Sequence, residues 1–306
     1  MNMISLLLFF WFASAVFVIK ERKIIRLIIY LGIFAAISAG SFLLLGAPDV
    51  AMAAIILGSF STIIFIVCFE KYYDLAYSPV AEKTTVFKSY AAPVCFTAAL
   101  AGLFFWFMPG DPFNDYLKNL YLSMFKEEVG GENAVAAILL VYRMFDTLLE
   151  ALVLLVCILA MMHLSWFKGM ESKQGTFCEI RSSQIAVNTI RFICPIIILV
   201  SVYLILNGHI SPGGGFHGGV VAASFFVCRY MMHEIYDIHI IRVVTVEKLA
   251  FVGIVLLPVF FIFLSAEIYF PMPSLMYVVI MNLLVGLKVA CGFLIIFYRF
   301  IALERS

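Results

Sequence analysis

Three ionisable side chains occur within one long apolar segment of the sequence. Arg143, Asp146 and Glu150 are three and four positions apart, and in an α-helix such spacings place side chains on one face. A charged residue at the middle of a membrane costs about 2.5–3.5 kcal/mol, so these groups must face protein or water. The pattern therefore indicates either a structural Arg143–Asp146 ion pair or a relay for protons or cations.

Two of these charges differ in their expected roles, and a lysine adds a third candidate. Arg143 should hold Asp146 in its ionised form, which leaves Glu150 as the group able to take up and release a proton. Lys288 lies alone near the middle of the last apolar segment. A buried lysine needs a partner of opposite charge or must lose its proton. The alternative is a side chain that extends to the membrane surface, which suits a central position poorly.

Asp49 is the last member of the predicted relay. It follows Pro48 at the start of another apolar segment. Aspartate is also a preferred residue at helix N-termini, where its carboxylate accepts hydrogen bonds from free backbone amides. Asp49 is therefore either a helix cap or an outer relay group.

A glycine-rich segment, GHISPGGGFHGG at residues 208–219, joins two long apolar segments. Its proline and glycines predict a tight turn, and no Lys-Ser or Lys-Thr follows them as in a phosphate-binding loop. Glycines that begin the next helix allow close contact between helices. The two histidines either hydrogen-bond the backbone of the turn or control cation entry in response to pH. The turn and gate would comprise His209, Gly213, Gly214, Gly215, His217, Gly218 and Gly219.

Several patterns argue against bound metals and cofactors. The segment HEIYDIH separates His233 and His239 by six positions, whereas two ligands on one helical face need a spacing of four. The seven cysteines form no CxxC pair, which argues against a zinc site, an iron–sulfur cluster and disulfides. We expect no metal, no cofactor and no catalytic residues in this chain.

The composition indicates which elements position these residues. Hydrophobic residues make up 64% of the 306 residues and charged residues 13%, whereas a soluble domain has about 25% charged residues. Apolar runs near 20 residues recur without alternation, which favours membrane-spanning helices over a β-barrel. The first run lacks a signal-peptide pattern and is expected to be retained. We predict an all-α polytopic membrane protein with about nine transmembrane helices, at 2–19, 27–45, 50–69, 91–108, 134–163, 188–206, 216–232, 249–266 and 277–299.

Basic residues predict the orientation of these helices. Most of the 20 lysine and arginine residues flank the predicted helices on one side, which the positive-inside rule assigns to the cytoplasm. Lys118 and Lys126 are on the other side, in an acidic, amphipathic segment that we expect to lie on the membrane surface. The N-terminus is then outside, the C-terminus is cytoplasmic, and the glycine turn faces outward. A net charge of +1 gives no indication of nucleic-acid binding.

Two segments of the second half carry a family resemblance. GHISPGGGFHGGVVAA and VGLKVACG, which includes Lys288, resemble the MnhB/MrpB family, the B subunit of multi-subunit Mrp-type Na+/H+ antiporters and membrane-bound hydrogenases. The resemblance covers roughly residues 183–299 and implies a four-helix unit. The family usually has glutamine where this chain has His217, a change that keeps a hydrogen-bonding group and adds a group that can be charged.

The first half resembles two smaller segments of the same complexes. LGAPDVAMAAIILGSFST resembles an MbhD-like segment and NAVAAILLVYRMFDTLLEALVLL an MbhE-like segment, both found in the C-terminal tail of the large Mrp A subunit. The resemblances imply an MbhD-like segment at 1–90, an MbhE-like segment with an outer amphipathic loop at 91–182, and an MnhB/MrpB-like domain at 183–306. Ala54 stands where the glutamate is usual, which puts a proton path through the third helix in doubt. Val141 similarly stands where an acid is common before the tyrosine and Arg143.

These resemblances imply a role in ion transport. The chain would be a membrane subunit of a Mrp-type Na+/H+ antiporter module in the inner (cytoplasmic) membrane, either stand-alone or within an energy-converting, membrane-bound hydrogenase-like complex. Its partners would be other Mrp-type antiporter subunits, hydrogenase-like redox subunits in the second case, Na+, H+ and lipid. The chain would move ions rather than act as an enzyme. The alternative, which Ala54 and Val141 favour, is a scaffold subunit with no ion path of its own.

Overall fold

The computed structural model describes residues 3–21, 23–72, 97–99, 102, 115–163, 184–232, 240–266 and 274–302. These residues are helical apart from short turns, which confirms the predicted all-α class for this part of the chain. The helices are α1 Met3–Lys20, α2 Ile24–Leu44, α3 Pro48–Tyr72, α4 Asp115–Glu128, α5 Ala134–Ala137, a π-helical turn at Ile138–Tyr142, α6 Met144–His163, α7 Gln184–Leu206, α8 Gly215–Met232, α9 Ile240–Ala266 and α10 Ser274–Ala302.

Six of the described helices are long and apolar enough to cross a membrane: Ile24–Leu44, Pro48–Phe69, Met144–His163, Val187–Leu206, Ile240–Phe263 and Ser274–Arg299. The apolar part of α1, Leu6–Lys20, is shorter than these, and α8 begins with the polar and small residues of the glycine turn. Of the predicted helix at 91–108, residues 97–99 and 102 are described, and they are helical. The count of nine spans therefore stays a prediction.

One helix begins earlier than the hydropathy pattern indicates. Helix α9 starts at Ile240, nine residues before the predicted start at position 249. Arg242 and Lys248 predict an inner loop for this segment, yet both residues are exposed on the surface of the helix. The extra turns bring Glu247 into the helical bundle.

The second half of the chain packs around α8, which lies between α7 and α10. A Cβ atom on Gly219 would lie 2.6 Å from the Gly286 carbonyl oxygen and 2.8 Å from Val289 Cβ of α10. On the α7 side, Ser201 Oγ donates a hydrogen bond to the Gly218 carbonyl at 3.0 Å. The small residues of α8 thus allow backbones to approach without intervening side chains.

The first three helices are joined to this bundle through α3. Helix α1 packs on α2 and α2 on α3, while α3 also contacts α8 and α10. The rings of Phe60 in α3 and Phe293 in α10 meet edge to face, with centroids 5.1 Å apart. Both halves therefore share one apolar core.

Candidate functional site

A lysine and a glutamate form an ion pair inside the helical bundle. Lys288 of α10 donates a hydrogen bond from Nζ to Glu247 Oε1 of α9. Both residues are 0% exposed. The Phe251 ring, one turn further along α9, lies 5.1 Å from Nζ, so the ammonium group also faces an aromatic π-system. Lys288 therefore has the opposite charge that its burial requires.

The Glu247–Lys288 pair is only partly satisfied. Glu247 Oε2 is buried and has no hydrogen-bond partner among the described residues. A carboxylate oxygen that lacks a donor is costly in an apolar interior, but it is also free to accept a proton. Transfer of the proton from Lys288 to Glu247 leaves a neutral pair, and arrival of a further proton leaves a singly charged one. The arrangement can therefore hold or pass on a proton.

Glu247 was not among the predicted site residues, because the predicted helix begins at position 249, two residues after it. A signal was present: Glu247, Phe251, Ile254 and Pro258 follow one another at intervals of four, three and four positions, which is the spacing of one helical face. Ile254 is 0% exposed, and Pro258 is also fully buried. When this buried face of α9 is continued toward the start of the helix, the next residue on it is Glu247, which therefore lies in the core.

The predicted group on α6 takes a different position, on the surface of the chain. Arg143 Nη2 lies 2.7 Å from Asp146 Oδ2, and the two side chains are 61% and 40% exposed. Glu150 is exposed as well and lies within electrostatic range of His217. Among the described residues, no hydrogen bond or ion pair connects these three residues to Lys288. The structure thus separates the predicted relay into a surface group and a buried pair.

A π-helical turn positions the surface group. The Arg143 amide donates to the Ile138 carbonyl at 2.7 Å, five residues back, which widens the helix between α5 and α6. Two carbonyls of this turn have side-chain partners: Thr147 Oγ1 donates to Leu139 at 2.8 Å, and Tyr277 Oη of α10 donates to Leu140 at 3.1 Å. The Leu139 and Leu140 carbonyls of the wide turn therefore have hydrogen-bond donors, and the Tyr277 bond holds the turn against α10.

The glycine turn is held by side chains from distant helices. The Gly213 amide donates to Asp49 Oδ1 of α3 at 3.1 Å, and the Gly215 amide donates to Asn282 Oδ1 of α10 at 3.0 Å. Gly213 and Gly214 have φ angles of +146° and +102°, which residues with a side chain rarely adopt. Asp49, predicted as a cap or relay group, thus lies at the N-terminus of α3 with its carboxylate on the turn.

Both histidines of the turn take part in hydrogen bonds with the backbone, His217 through its ring and His209 through its own carbonyl. His217 Nδ1 lies 2.7 Å from the Gly213 carbonyl oxygen, and since a carbonyl only accepts, Nδ1 carries the proton. The His209 carbonyl accepts the amides of Glu132 and Asn133 at 2.9 and 3.0 Å. His217 Nε2 and His209 Nδ1 are buried and have no hydrogen-bond partner among the described residues.

Asn133 completes the cluster of side chains around the glycine turn, which also includes Asp49 and Asn282, and was not predicted. Its Nδ2 donates to the carbonyls of Gly208 and Ser211, both at 3.1 Å. Its Oδ1 accepts the amides of Val135 and Ala136 and so caps α5. The asparagine at a helix start was a readable capping signal, but its second contact depends on the fold.

No group of three or more His, Cys, Asp or Glu that could hold a metal ion occurs among the described residues. The HEIYDIH segment at 233–239 lies outside them.

Comparisons with protein families confirm both principal resemblances. Residues 185–295 match the family described as a domain related to the MnhB subunit of Na+/H+ antiporter. Residues 9–73 match the MbhD family, described as the D subunit of MBH. The MbhE-like segment and the domain boundaries stay predictions.

Curated relatives are antiporter subunits. The chain is 30% identical over 156 residues to the putative antiporter subunit mnhA2 of Staphylococcus haemolyticus, which covers 50% of this chain and 19% of that protein. It is 27% identical over 143 residues to the probable A/B subunit of a K(+)/H(+) antiporter of Rhizobium meliloti, covering 39% and 14%. It is 39% identical over 54 residues to the B subunit of the Na(+)/H(+) antiporter of Alkalihalophilus pseudofirmus, covering 17% and 38%. The chain thus spans well under half of each of these relatives.

Two solved structures share the fold. A chain of the Mrp complex from Dietzia sp. DQ12-45-1b superposes with a TM-score of 0.75 at 18% identity, covering 98% of this chain and 35% of that chain. A chain of the membrane-bound sulfane sulfur reductase, an archaeal respiratory membrane complex, gives a TM-score of 0.53 at 27% identity, covering 69% and 96%. The apolar helices and these relatives together indicate a multi-pass membrane protein.

Proposed function

We propose that this chain, a multi-pass membrane protein that joins an MbhD-like segment to an MnhB-like domain, is one component of a Mrp-type Na+/H+ antiporter module and contributes to proton or cation translocation. The observation that carries the proposal is the Glu247–Lys288 pair, fully buried between α9 and α10. It lies in the part of the chain that matches the MnhB-related family.

A buried pair of this kind favours transport over simple structural support. Removal of two charged groups from water costs several kcal/mol for each, and apolar side chains of the same volume often stabilise a fold equally well or better. Ionisable residues inside membrane helices commonly mark ion paths and proton relays. Glu247 Oε2, which has no hydrogen-bond partner in the described part of the chain, gives the pair a proton acceptor.

The surface group of α6 forms the second part of the proposed path. Arg143, Asp146 and Glu150 lie where a neighbouring protein of the complex can complete a polar passage, and Asp49 lies at the outer turn. In this arrangement Glu150 exchanges protons at the surface of the chain, while Glu247 and Lys288 do so inside it.

The proposal includes a membrane topology and a set of partners. About nine helices cross the inner membrane, with the N-terminus outside and the C-terminus in the cytoplasm. Other Mrp-type subunits assemble with the chain, and the transported ions are Na+ and H+. The module is either stand-alone or attached to hydrogenase-like redox subunits. The likeness to a chain of a respiratory complex at 27% identity supports the second form.

The competing function is a scaffold without an ion path. Ala54 and Val141 stand where acids are usual in the resembling segments, and Ala54 lies within α3 among apolar neighbours. Under this alternative the Glu247–Lys288 pair only fixes the contact between α9 and α10.

Neutralisation of the buried pair separates these two functions. Lys288→Met should lower Na+-dependent proton transport in everted vesicles containing the complex by about a hundredfold, a usual effect of losing a proton-transfer group. Lys248→Met is the matched control. Lys248 is exposed on α9 next to Glu247, so its variant should transport normally.

A double variant guards against simple misfolding. Loss of one partner leaves an uncompensated buried charge, which destabilises by about 3–5 kcal/mol, whereas Glu247→Met with Lys288→Met removes both charges. We expect the double variant to assemble, as judged by co-purification of the complex, and to remain inactive. Normal transport by an assembled double variant would establish the scaffold function instead.

A further inference from the structure

One face of α6 carries charges out to the surface of the chain. We call it the charged stripe: Asp146, Glu150, Val153 and Cys157 of α6, together with Arg143 immediately before the helix, which follow one another at intervals of three or four positions. Four members are exposed, and Asp146 is half-buried with 40% of its side chain exposed. The helix buries a neighbouring face, roughly a quarter of a turn around its axis, through Thr147, Ala151 and Ile158. The stripe is thus presented outward by the packing of α6.

The stripe is not suited to contact with lipid tails. Charged side chains in contact with hydrocarbon are costly, and those found in membrane helices almost always face protein or a water-filled cavity. The Arg143–Asp146 pair compensates itself across 2.7 Å. The exposed Glu150 makes no hydrogen bond or ion pair among the described residues, although His217 lies within electrostatic range. When Glu150 is ionised, the stripe carries one negative charge more than positive.

We propose that the charged stripe is the docking face for a transmembrane helix of a different protein in the complex, and that this helix carries a lysine, arginine or histidine at the depth of Glu150. The inference deepens the proposed function, because it rests on the chain being one part of a larger membrane assembly. The apolar part of the same surface, with Leu149, Val153 and Val156 exposed at 59%, 62% and 55%, supplies the flanks against which such a helix packs.

The negative charge of Glu150 distinguishes between three candidate occupants of the stripe, which are lipid, a second copy of this chain and a helix of another protein. A lipid tail offers no group that bonds a carboxylate. A second copy of this chain, related by a two-fold axis along the membrane normal, would place like residues opposite each other. Glu150 would then face Glu150. A helix with a basic residue satisfies the carboxylate and needs no change in this chain.

Photochemical cross-linking in the intact complex tests the docking face. Benzoylphenylalanine in place of Val153 is activated by light in native membranes, and the cross-linked peptide is identified by mass spectrometry. We expect a peptide from a membrane segment of a different protein of the complex, with a basic residue within one helical turn of the cross-link. Benzoylphenylalanine in place of Phe263, 70% exposed on α9, is the position control and should not reach that peptide.

A charge-reversal arm tests the proposed complementarity. Glu150→Lys should lower the yield of the cross-link by about tenfold or more, as expected for like charges brought together. Reversal of the basic residue found in the partner should restore the yield. Glu127→Lys, an exposed position on α4, should leave it unchanged.

The outcomes that overturn the inference are distinct. Cross-links to lipid alone, to a second copy or to another segment of this chain would refute it. A cross-linked partner helix without a basic residue would do the same. Failure of the transport proposal appears instead as normal transport in the Lys288 and Glu247 variants, which leaves the cross-linking result unaffected.

Discussion

At the scale of single residues, the charged groups near the apolar helices fall into two environments. Glu247 and Lys288 have no access to the surface of the chain, whereas Arg143, Asp146 and Glu150 lie at that surface. A sealed pair can exchange a proton only with groups that reach it through the bundle. A surface carboxylate exchanges protons with whatever covers it, so its behaviour depends on the assembly.

Glu150→Gln tests the proposed proton exchange at the surface. The amide has the shape of the carboxyl group and can still accept a hydrogen bond from a basic partner, but it cannot take up a proton. We expect the complex to assemble and its ion-coupled transport to fall by about a hundredfold. Proton uptake by reconstituted complex provides the measurement, with Glu127→Gln as the matched surface control. Wild-type transport in Glu150→Gln would remove this residue from the path.

At the scale of the elements, the π-helical turn is the feature that sets the direction of the charged stripe. One extra residue per turn rotates everything that follows by roughly a quarter of a turn relative to a continuous α-helix. The turn survives because Thr147 and Tyr277 bond two of its carbonyls. Without Tyr277, the buried Leu140 carbonyl would lack this donor.

Tyr277→Phe tests how strongly α10 holds this turn. Loss of the hydroxyl leaves the buried Leu140 carbonyl without its partner, which costs about 1–3 kcal/mol. We expect a lower midpoint of thermal unfolding in detergent, together with weaker transport, because Arg143 and Glu150 lose their fixed direction. Tyr203→Phe is the control, since Tyr203 is 52% exposed on α7 and its variant should unfold at the wild-type temperature. Equal midpoints for both variants would contradict the argument.

The helices themselves were largely readable from the sequence, and the exceptions have physical causes. Runs of apolar residues gave most helix positions to within a few residues. The start of α9 was missed, because Arg242 and Lys248 resemble loop residues by composition although the helix carries them on its exposed side. The π-helical turn was also missed, since a single inserted residue leaves the hydropathy pattern intact.

The candidate site was only partly predictable from the sequence, because one of its contacts depends on how distant helices pack. Lys288 and the α6 charges stood out as ionisable residues in apolar runs, and a lysine without a partner indicated that an acid was needed. The spacing of Glu247 with Phe251 and Ile254 is a signal for a buried acid, but its pairing with Lys288 required the packing of α9 on α10. The pairing joins positions 41 residues apart in the chain, and no local pattern specifies it.

At the scale of the whole molecule, the cluster of side chains around the glycine turn joins parts of the chain that match two different families. Asp49 comes from the MbhD-like segment, Asn133 from the segment that follows α4, and the glycine turn and Asn282 from the MnhB-like domain. Side-chain to backbone hydrogen bonds at one end of the bundle therefore fix the register between these parts.

Asp49 provides a test of this anchoring against the relay role expected from the sequence. Asp49→Asn keeps an oxygen that can accept the Gly213 amide, so an anchor should retain both wild-type transport and the wild-type unfolding midpoint. Asp49→Ala removes the acceptor and should destabilise by about 1–3 kcal/mol, measured by thermal unfolding in detergent. Loss of transport in a stable Asp49→Asn protein would instead show that the carboxylate itself moves ions.

The contact between α8 and α10 at Gly219 and Gly286 limits where the proposed path for water or ions can lie in this domain. Main-chain atoms there lie so close that even a methyl group would collide with the facing carbonyl, and the seam therefore leaves no room for a water molecule. At this position α8 and α10 are in direct backbone contact. Lys288 faces the other way, toward Glu247 of α9, so this close contact between α8 and α10 gives water no route to the ammonium group.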